Sequence, residues 1–217
     1  MGTQWARHEA NKNELAIWVD KATLWVKFHP QPAIWAGAGL LVAVLICVGY
    51  VNRRLGQKED AWSKLAMIQS YAYSGQAASA LEQAGKLSEE YPSSPVAGFG
   101  QLLAGDILFE QGKYKEAAQA YQKALERPAA PTVATVAMAD LALSQEAGGD
   151  YKAAADTAQK FLETYADHFM APPVHGSLAR CLAALGEKDK AKAALERMAF
   201  LYPQTYWADW AKTRTKG

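Results

Sequence analysis

Residues 111–121 decide the fold and read Gln-Gly-Lys-Tyr-Lys-Glu-Ala-Ala-Gln-Ala-Tyr. The glycine of this stretch recurs at a fixed interval, because Gly75, Gly112, Gly149 and Gly186 are each 37 residues apart. A return of this length is typical of repeat proteins, whose units bury their apolar faces only by stacking on their neighbours. Most of the chain is therefore predicted to be a repeat array.

Each repeat is predicted to be a pair of antiparallel helices. The recurring glycine marks the turn between them, where the backbone often needs a positive φ that glycine adopts without a Cβ clash. An alanine follows each glycine after five residues, and further apolar residues follow at helical spacing. Ala104 and Gly105 precede the turn, and they lie where the first helix must approach its partner closely.

One repeat, residues 103–127 (LAGDILFEQGKYKEAAQAYQKALER), resembles a tetratricopeptide repeat. The residues in the family's register are Gly105, Gly112, Tyr114, Ala117, Tyr121 and Ala124. The connectors at 90–97 and 201–208, which begin Glu-Tyr-Pro-Ser and Leu-Tyr-Pro-Gln, resemble the Tyr-Pro-x-Ser linkers of envelope-associated bacterial repeat proteins. The resemblance implies an all-α fold, with a right-handed α-solenoid of about four tetratricopeptide-like helical hairpins that serves as a protein-binding scaffold.

Changes in amino-acid composition divide the chain into three parts. Residues 1–31 are predicted to form an N-terminal tail with an amphipathic interfacial helix, residues 32–54 a transmembrane helix, and residues 55–217 the repeat domain. The prolines at the joints place the repeats at about 58–92, 95–128, 131–165 and 172–203, followed by a C-terminal capping helix at 205–212.

The stretch from Ala33 to Val51 is predicted to span a membrane. Its 19 residues carry no charge, and Asn52-Arg53-Arg54 follows at once. A helix of this length is about 28 Å long, close to the ~30 Å hydrocarbon core of a bilayer. Trp35 and Tyr50 near its ends suit the interfacial aromatic belts. The region before it is too long and too acidic for a signal peptide, so an uncleaved anchor is expected.

A second apolar helix is predicted before the span. Its apolar residues, which include Trp18 and Trp25, recur at helical spacing, and His29-Pro30-Gln31-Pro32 ends it. Indole rings favour the membrane interface, so we expect both tryptophans to anchor the helix there. A helix that packs on a partner protein is the alternative.

Small residues recur every four positions within the span, at Gly39, Ala43 and Cys47. Such a ridge lets a second transmembrane helix approach closely, so these residues are candidates for helix packing in the membrane. The alternative is that glycine and alanine are simply common in membrane spans.

The flanking charges leave the orientation open, because four Lys or Arg residues precede the span and four follow it as far as Lys64. The layout resembles the bitopic ancillary subunit of the bacterial Sec translocon, which has a cytoplasmic amphipathic helix, one span and periplasmic tetratricopeptide-like repeats. This resemblance implies the bacterial inner membrane, with the repeat domain in the periplasm. Arg53-Arg54, close to the span, would instead favour a cytoplasmic repeat domain.

The first helices of the repeats are expected to line a concave, partner-binding groove. In register with the turn glycines, its residues are expected to be Trp62, Leu65, Gln69, Tyr73, Phe99, Leu102, Asp106, Phe109, Glu146 and Arg180. Only Arg180 among them is basic, so the groove lacks the clamp with which family members grip C-terminal carboxylates. An apolar or extended partner segment is favoured. The alternative is that the aromatic residues fill contacts between repeats.

No pattern in the sequence indicates catalysis. The four histidines lack metal-ligand spacing, and His175 falls on a helix-packing position where a hydrogen-bonded interior histidine is expected. The sequence holds no nucleophile motif, phosphate loop or dinucleotide-binding glycine motif. Basic residues do not cluster in the repeats, which argues against nucleic-acid binding. We predict no cofactor, no metal and no small-molecule substrate.

Together these patterns predict a non-enzymatic, single-pass membrane protein whose partners are other proteins and membrane lipid. Its predicted role is accessory to protein secretion or envelope assembly. Two alternatives remain open: a permanent structural subunit of a larger integral membrane complex, and a cytoplasm-facing assembly factor.

Overall fold

The computed structural model describes residues 3–127 and 130–215, with side chains from residue 16 onward except those of Arg54 and Gln57. The described residues form ten α-helices and no strand, which confirms the predicted all-α fold. The helices are α1 (Thr3–Phe28), α2 (Pro30–Tyr73), α3 (Ala77–Glu90), α4 (Pro95–Glu110), α5 (Tyr114–Glu126), α6 (Pro131–Ala147), α7 (Tyr151–Thr164), α8 (Ala171–Ala184), α9 (Lys188–Leu201) and α10 (Tyr206–Thr215). The chain divides into two compact units, Met1–Gln57 and Lys58–Gly217.

The first unit contains α1 and the N-terminal part of α2. Helix α1 begins at Thr3 and ends at Phe28, next to the expected break at His29-Pro30-Gln31-Pro32. Helix α2 continues to Tyr73, so the expected boundary at residue 54 lies inside a helix. Every described side chain from residue 16 to residue 53 is exposed except that of Ala33. By length and composition, α2 is long and apolar enough to cross a membrane.

The second unit is a stack of four helical hairpins. Residues 58–73 of α2 pair with α3, α4 with α5, α6 with α7, and α8 with α9. Helix α10 covers the last hairpin, because Trp207 and Trp210 pack against Ala179 and Met198. Residues 128 and 129, where the second repeat was expected to end, lie outside the described part of the chain. The predicted fold of about four hairpins with a capping helix is confirmed.

The recurring glycines close the hairpins as predicted. All four have positive φ angles: +76° at Gly75, +72° at Gly112, +83° at Gly149 and +81° at Gly186. In the second turn, the Gly112 amide donates to the Phe109 carbonyl and the Lys113 amide to the Leu108 carbonyl, both at 2.9 Å. This pair of hydrogen bonds is a Schellman motif, which ends a helix and satisfies carbonyls that would otherwise lack partners.

Small residues bring the helices of each hairpin together. The core is rich in buried alanines, and its largest fully buried side chain is that of Phe161. Among the glycines compared, Gly105 leaves the least room, because an added Cβ would lie 2.4 Å from the Tyr121 ring. The prediction that Gly105 allows close approach of the partner helix is therefore confirmed.

Candidate partner-binding surface

The first helices of successive hairpins lie side by side. Helix α4 contacts α6, α6 contacts α8, and α8 contacts α10. Buried residues of α2 and α4 share one core cluster. We name the surface formed by residues 58–73 of α2, α4, α6 and α8 the first-helix face. Such a continuous face is the surface on which repeat proteins of this kind bind extended partners.

An aromatic pair marks the N-terminal end of the first-helix face. The ring centroids of Trp62 and Phe99 are 5.6 Å apart, with their planes tilted by 55°. The Trp62 side chain is 49% exposed, while Phe99 is partly buried against the first core cluster. The pair therefore joins two repeats and leaves about half of the Trp62 side chain exposed.

The remaining predicted residues of the first repeat differ in how far they are exposed. The expectation for Leu65 is wrong, because this side chain is 4% exposed and lies in the core cluster. Leu65 lies four residues after Ala61 and three before Ile68, so it shares the helix face that these residues bury against α3 and α4. Gln69 is exposed, and Tyr73 is 92% exposed at the C-terminal end of α2.

Predicted residues in the middle of the face also support the fold. The Tyr121 hydroxyl, from α5, donates a hydrogen bond of 2.8 Å to Asp106 Oδ1. Leu102 and Phe109 are partly buried against the cluster that contains Tyr121. Asp106 and Leu102 therefore hold the second hairpin together, and only part of each side chain is available to a partner.

Burial changes the acidity of two carboxyl groups near this point. Desolvation raises the pKa of Asp106, although the Tyr121 hydrogen bond opposes the change. Desolvation and the nearby Asp106 charge together raise the pKa of Asp140, on α6, to about 7. Sequence analysis missed Asp140 because it stands 34 residues after Asp106, out of step with the 37-residue period.

A cavity of about 400 Å³ brings together three of the predicted groove residues, Phe109, Glu146 and Arg180. Leu143, Ala147 and Tyr151 complete its lining. Its walls are therefore largely apolar and aromatic, and one ion pair stands at its polar end. This composition is typical of a pocket that takes an apolar side chain of a partner.

Arg180, the only basic residue among the predicted groove residues, forms this ion pair. Arg180 Nε donates to Glu146 Oε1 at 2.5 Å and Arg180 Nη2 donates to Glu146 Oε2 at 2.8 Å. The guanidinium carbon of Arg180 also lies 5.7 Å from the centre of the Trp210 ring. Because both carboxylate oxygens of Glu146 are engaged, Arg180 is already paired and is poorly placed to grip a partner's C-terminal carboxylate.

The predicted membrane residues are all at the surface of the first unit. Trp18, Trp25, Trp35 and Tyr50 are exposed. Among the small residues of the ridge, Cys47 is exposed, Ala43 is exposed, and nothing lies within 4 Å of a Cβ built on Gly39. The aromatic side chains and the ridge are therefore open to contact with other molecules.

His175 is interior, as predicted, but its Nδ1 lacks the hydrogen bond that was expected. The side chain is 5% exposed, and its Nδ1 has no hydrogen-bond partner among the described residues. Burial and the nearby Arg197 charge lower its pKa to about 4. Within the described part of the chain, no group of three or more His, Cys, Asp or Glu side chains could hold a metal ion.

Comparison with known proteins identifies the repeats. A family model described as the tetratricopeptide repeat-like domain matches residues 25–205. No curated protein matches the chain.

Several solved structures share the fold. YrrB, a TPR protein with an unusual peptide-binding site, has a TM-score of 0.55 at 21% identity, covering 73% of this chain and 79% of its own. A double mutant of MamA RS-1 has a TM-score of 0.54 at 16% identity, covering 65% and 75%. A putative kinesin light chain from Podosopora anserina, with nearly identical TPR-like repeats, has 0.52 at 18%, covering 65% and 74%.

Proposed function

Because the chain belongs to the tetratricopeptide repeat-like domain family, we propose that it is a membrane-anchored module that binds other proteins through its first-helix face. We propose further that it is a bacterial inner-membrane protein with a periplasmic repeat domain, accessory to protein secretion or envelope assembly. The main observation behind the proposal is that every residue of the apolar segment at 34–51 is exposed. The family model that matches the repeats also includes this segment.

The exposure of this segment supports an anchor. Leu40, Leu41 and Ile46 are between 64% and 70% exposed. Each such side chain gains roughly 1.5–3 kcal/mol on leaving water, so a segment that is apolar all round gains most in a bilayer. The family match begins at residue 25 and includes the whole segment, which supports an anchor that is retained rather than a leader that is removed.

The first-helix face supports an extended partner with apolar side chains. The Trp62–Phe99 pair and the cavity at Phe109 both involve α4, and Phe99 and Phe109 are ten residues apart along it. Ten residues of helix rise about 15 Å, which an extended peptide covers with four or five residues. We therefore propose that a partner places one apolar side chain at Trp62 and a second in the cavity.

Protease accessibility tests the location. In intact spheroplasts, added protease is expected to digest the repeat domain, whereas inverted inner-membrane vesicles are expected to protect it. The opposite pattern would place the repeats in the cytoplasm and favour the assembly-factor alternative, with Arg53-Arg54 as the topology signal.

Crosslinking tests the binding surface. The triple variant Trp62→Ala, Phe99→Ala and Phe109→Ala is expected to lose the partners that crosslink to the wild-type repeat domain. A matched control changes the exposed Phe169, Phe200 and Tyr206, which lie outside the first-helix face. An unchanged set of partners in the first variant would reject binding through this face.

A second candidate function is a permanent structural subunit. The ridge at Gly39, Ala43 and Cys47 is open at the surface of the first unit, which would allow a second membrane helix to pack there. Native mass measurement after mild detergent extraction tests this alternative. A monomer alone would reject it, and a stoichiometric complex that is lost in Gly39→Leu would support it.

A further inference from the structure

The middle of the first-helix face carries acidic side chains without a nearby cation. Helices α4 and α6 contain four charged residues, and all of them are acidic: Asp106, Glu110, Asp140 and Glu146. Arg180 pairs with Glu146. None of the other three forms an ion pair with a described residue. The centre of the face is therefore negatively charged.

Two of these carboxyl groups lie beside the first-helix cavity. Asp106 precedes Phe109 by three residues on α4, and Asp140 precedes Leu143 by three residues on α6. Phe109 and Leu143 both line the cavity, and residues three apart are neighbours on the surface of a helix. Helix α4 contacts α6, and the Asp106 charge affects the pKa of Asp140. The two carboxyl groups are therefore close to each other and to the cavity.

A partner can reach both carboxyl groups, because Asp106 and Asp140 are each partly exposed. The Tyr121 hydroxyl donates to Asp106 Oδ1. Asp106 Oδ2 and both oxygens of Asp140 accept no hydrogen bond from a described residue, yet none of these three atoms is completely buried. They are therefore open to hydrogen-bond donors from another molecule.

Partial burial without a cation disfavours the charged forms of both groups. Desolvation raises the pKa of Asp106 and of Asp140. A cation placed next to them would favour both charged forms. Two carboxyl groups fall short of the roughly six to eight oxygen ligands that Ca²⁺ takes, whereas an ammonium or guanidinium group binds well to one or two carboxylates. A basic side chain is the cation that suits this place.

The carboxyl groups also lie between the two apolar sites of the first-helix face. Asp106 is seven residues after Phe99 and three before Phe109, which is about 10 Å and about 5 Å along α4. In an extended peptide, residues i, i+2 and i+4 point to the same side at steps of about 7 Å. A peptide whose residues i and i+4 occupy the two apolar sites therefore directs residue i+2 towards Asp106 and Asp140.

We propose that the partner segment carries a lysine or arginine midway between its two apolar residues, and that Asp106 and Asp140 bind this cation. Asp106 Oδ2 and the Asp140 carboxylate accept hydrogen bonds from its ammonium or guanidinium group. The proposal rests on the binding of an extended segment through the first-helix face and adds the class of segment: apolar, any residue, basic, any residue, apolar.

Titration with matched peptides tests the proposal. The full chain in uncharged detergent micelles is titrated at pH 8, where Asp140 is largely ionised. The probes are the capped heptapeptide Ser-Leu-Ser-Lys-Ser-Leu-Ser and versions with norleucine or glutamate in place of lysine. The lysine peptide is expected to bind about fivefold to twentyfold more tightly than the norleucine peptide, between the ranges for an exposed ion pair and for a hydrogen bond to a charged group. The glutamate peptide is expected to bind most weakly.

Asp140→Asn separates the effect of the charge from that of the fold. Asparagine has nearly the same shape as aspartate, and the substitution removes a charge that has no cation beside it. The variant is expected to bind the norleucine peptide as the wild type does and to lose most of the preference for lysine. Asp156→Asn is the matched control, because it removes the same charge from an exposed position on α7, outside the first-helix face. Its preference for lysine is expected to stay unchanged.

Three results would overturn the proposal. Equal binding of the lysine and norleucine peptides, lost in Phe109→Ala, would reject the cation site and leave binding through the first-helix face intact. An unchanged preference for lysine in Asp140→Asn would reject it as well. Failure of every peptide to bind would also reject it, and crosslinking of the triple variant would then decide separately whether partners bind through the face.

Discussion

The N-terminal unit and the repeat domain are both rich in apolar residues, but they place them in opposite environments. Leu41 and Ile46 are 64% and 66% exposed, whereas Ile68 and Leu87, in the repeats, are at most 1% exposed. The repeat helices are apolar along one stripe and bury it against neighbouring repeats. The segment at 33–51 is apolar all round, which is typical of membrane spans and of fully buried core helices, and its side chains are exposed apart from that of Ala33. The pattern of apolar residues, more than their number, separates the two environments.

Removing the first unit is expected to have the largest effect, which is on the solubility of the chain without detergent. A chain of residues 58–217 should be helical and monodisperse without detergent, because its apolar stripes are buried within the stack. The full chain should enter the membrane fraction and need detergent for extraction. The double variant Leu41→Arg and Leu45→Arg is the matched control, since charge at the centre of a span disfavours insertion. A full chain that stays in the supernatant would contradict the proposed anchor.

Removing the largest buried side chain is the next largest change. Phe161→Ala is expected to lower the free energy of unfolding by about 3–5 kcal/mol, the usual range for a buried phenylalanine. Phe200→Ala, at an 82% exposed position, should change it by less than about 0.5 kcal/mol. Chemical denaturation of residues 58–217 measures both. Equal effects of the two variants would show that the last two repeats are not packed as described.

Adding a methyl group at Gly105 is expected to have a smaller effect. Gly105→Ala places a methyl group against the Tyr121 ring and should lower the free energy of unfolding by about 1–3 kcal/mol. Gly85→Ala is the matched control, because nothing lies within 4 Å of its Cβ position and alanine favours a helix by up to about 1 kcal/mol. Stabilisation by both substitutions would contradict the close approach at Gly105.

Titration is expected to change the stability of the wild type least, because two groups act in opposite directions. The pKa of Asp140 is raised to about 7, so its contribution to stability is present at acidic pH and is lost as pH rises towards 7. The pKa of His175 is lowered to about 4, so its contribution is present above its ordinary pKa of about 6.5 and is lost as pH falls towards 4.

Thermal unfolding of residues 58–217 between pH 4 and 8 measures these contributions. Asp140→Asn should remove the loss of stability with rising pH and leave the gain that comes from His175. His175→Gln should do the reverse. Identical pH profiles for both variants and the wild type would show that neither carboxyl nor imidazole is buried as described.

The period, the hairpin turns and the helix pairs could be predicted from the order of the amino acids. Glycine adopts a positive φ without a Cβ clash, so its 37-residue spacing located the turn within each hairpin, at Gly75, Gly112, Gly149 and Gly186. The apolar segment at 33–51 was equally readable, because a continuous run without charge needs no knowledge of tertiary contacts.

Which polar groups contact each other, and which predicted groove residues are exposed, depends on how the helices pack in three dimensions. Register could not show that Leu65 is buried or that Glu146 holds Arg180, because both depend on how neighbouring helices are rotated. Asp106 and Asp140 are close in space but out of step with the repeat, and Ser144 is unpaired although Ser88 is not. Repetition fixes the backbone of each hairpin, whereas side-chain partners depend on what each neighbouring repeat contributes.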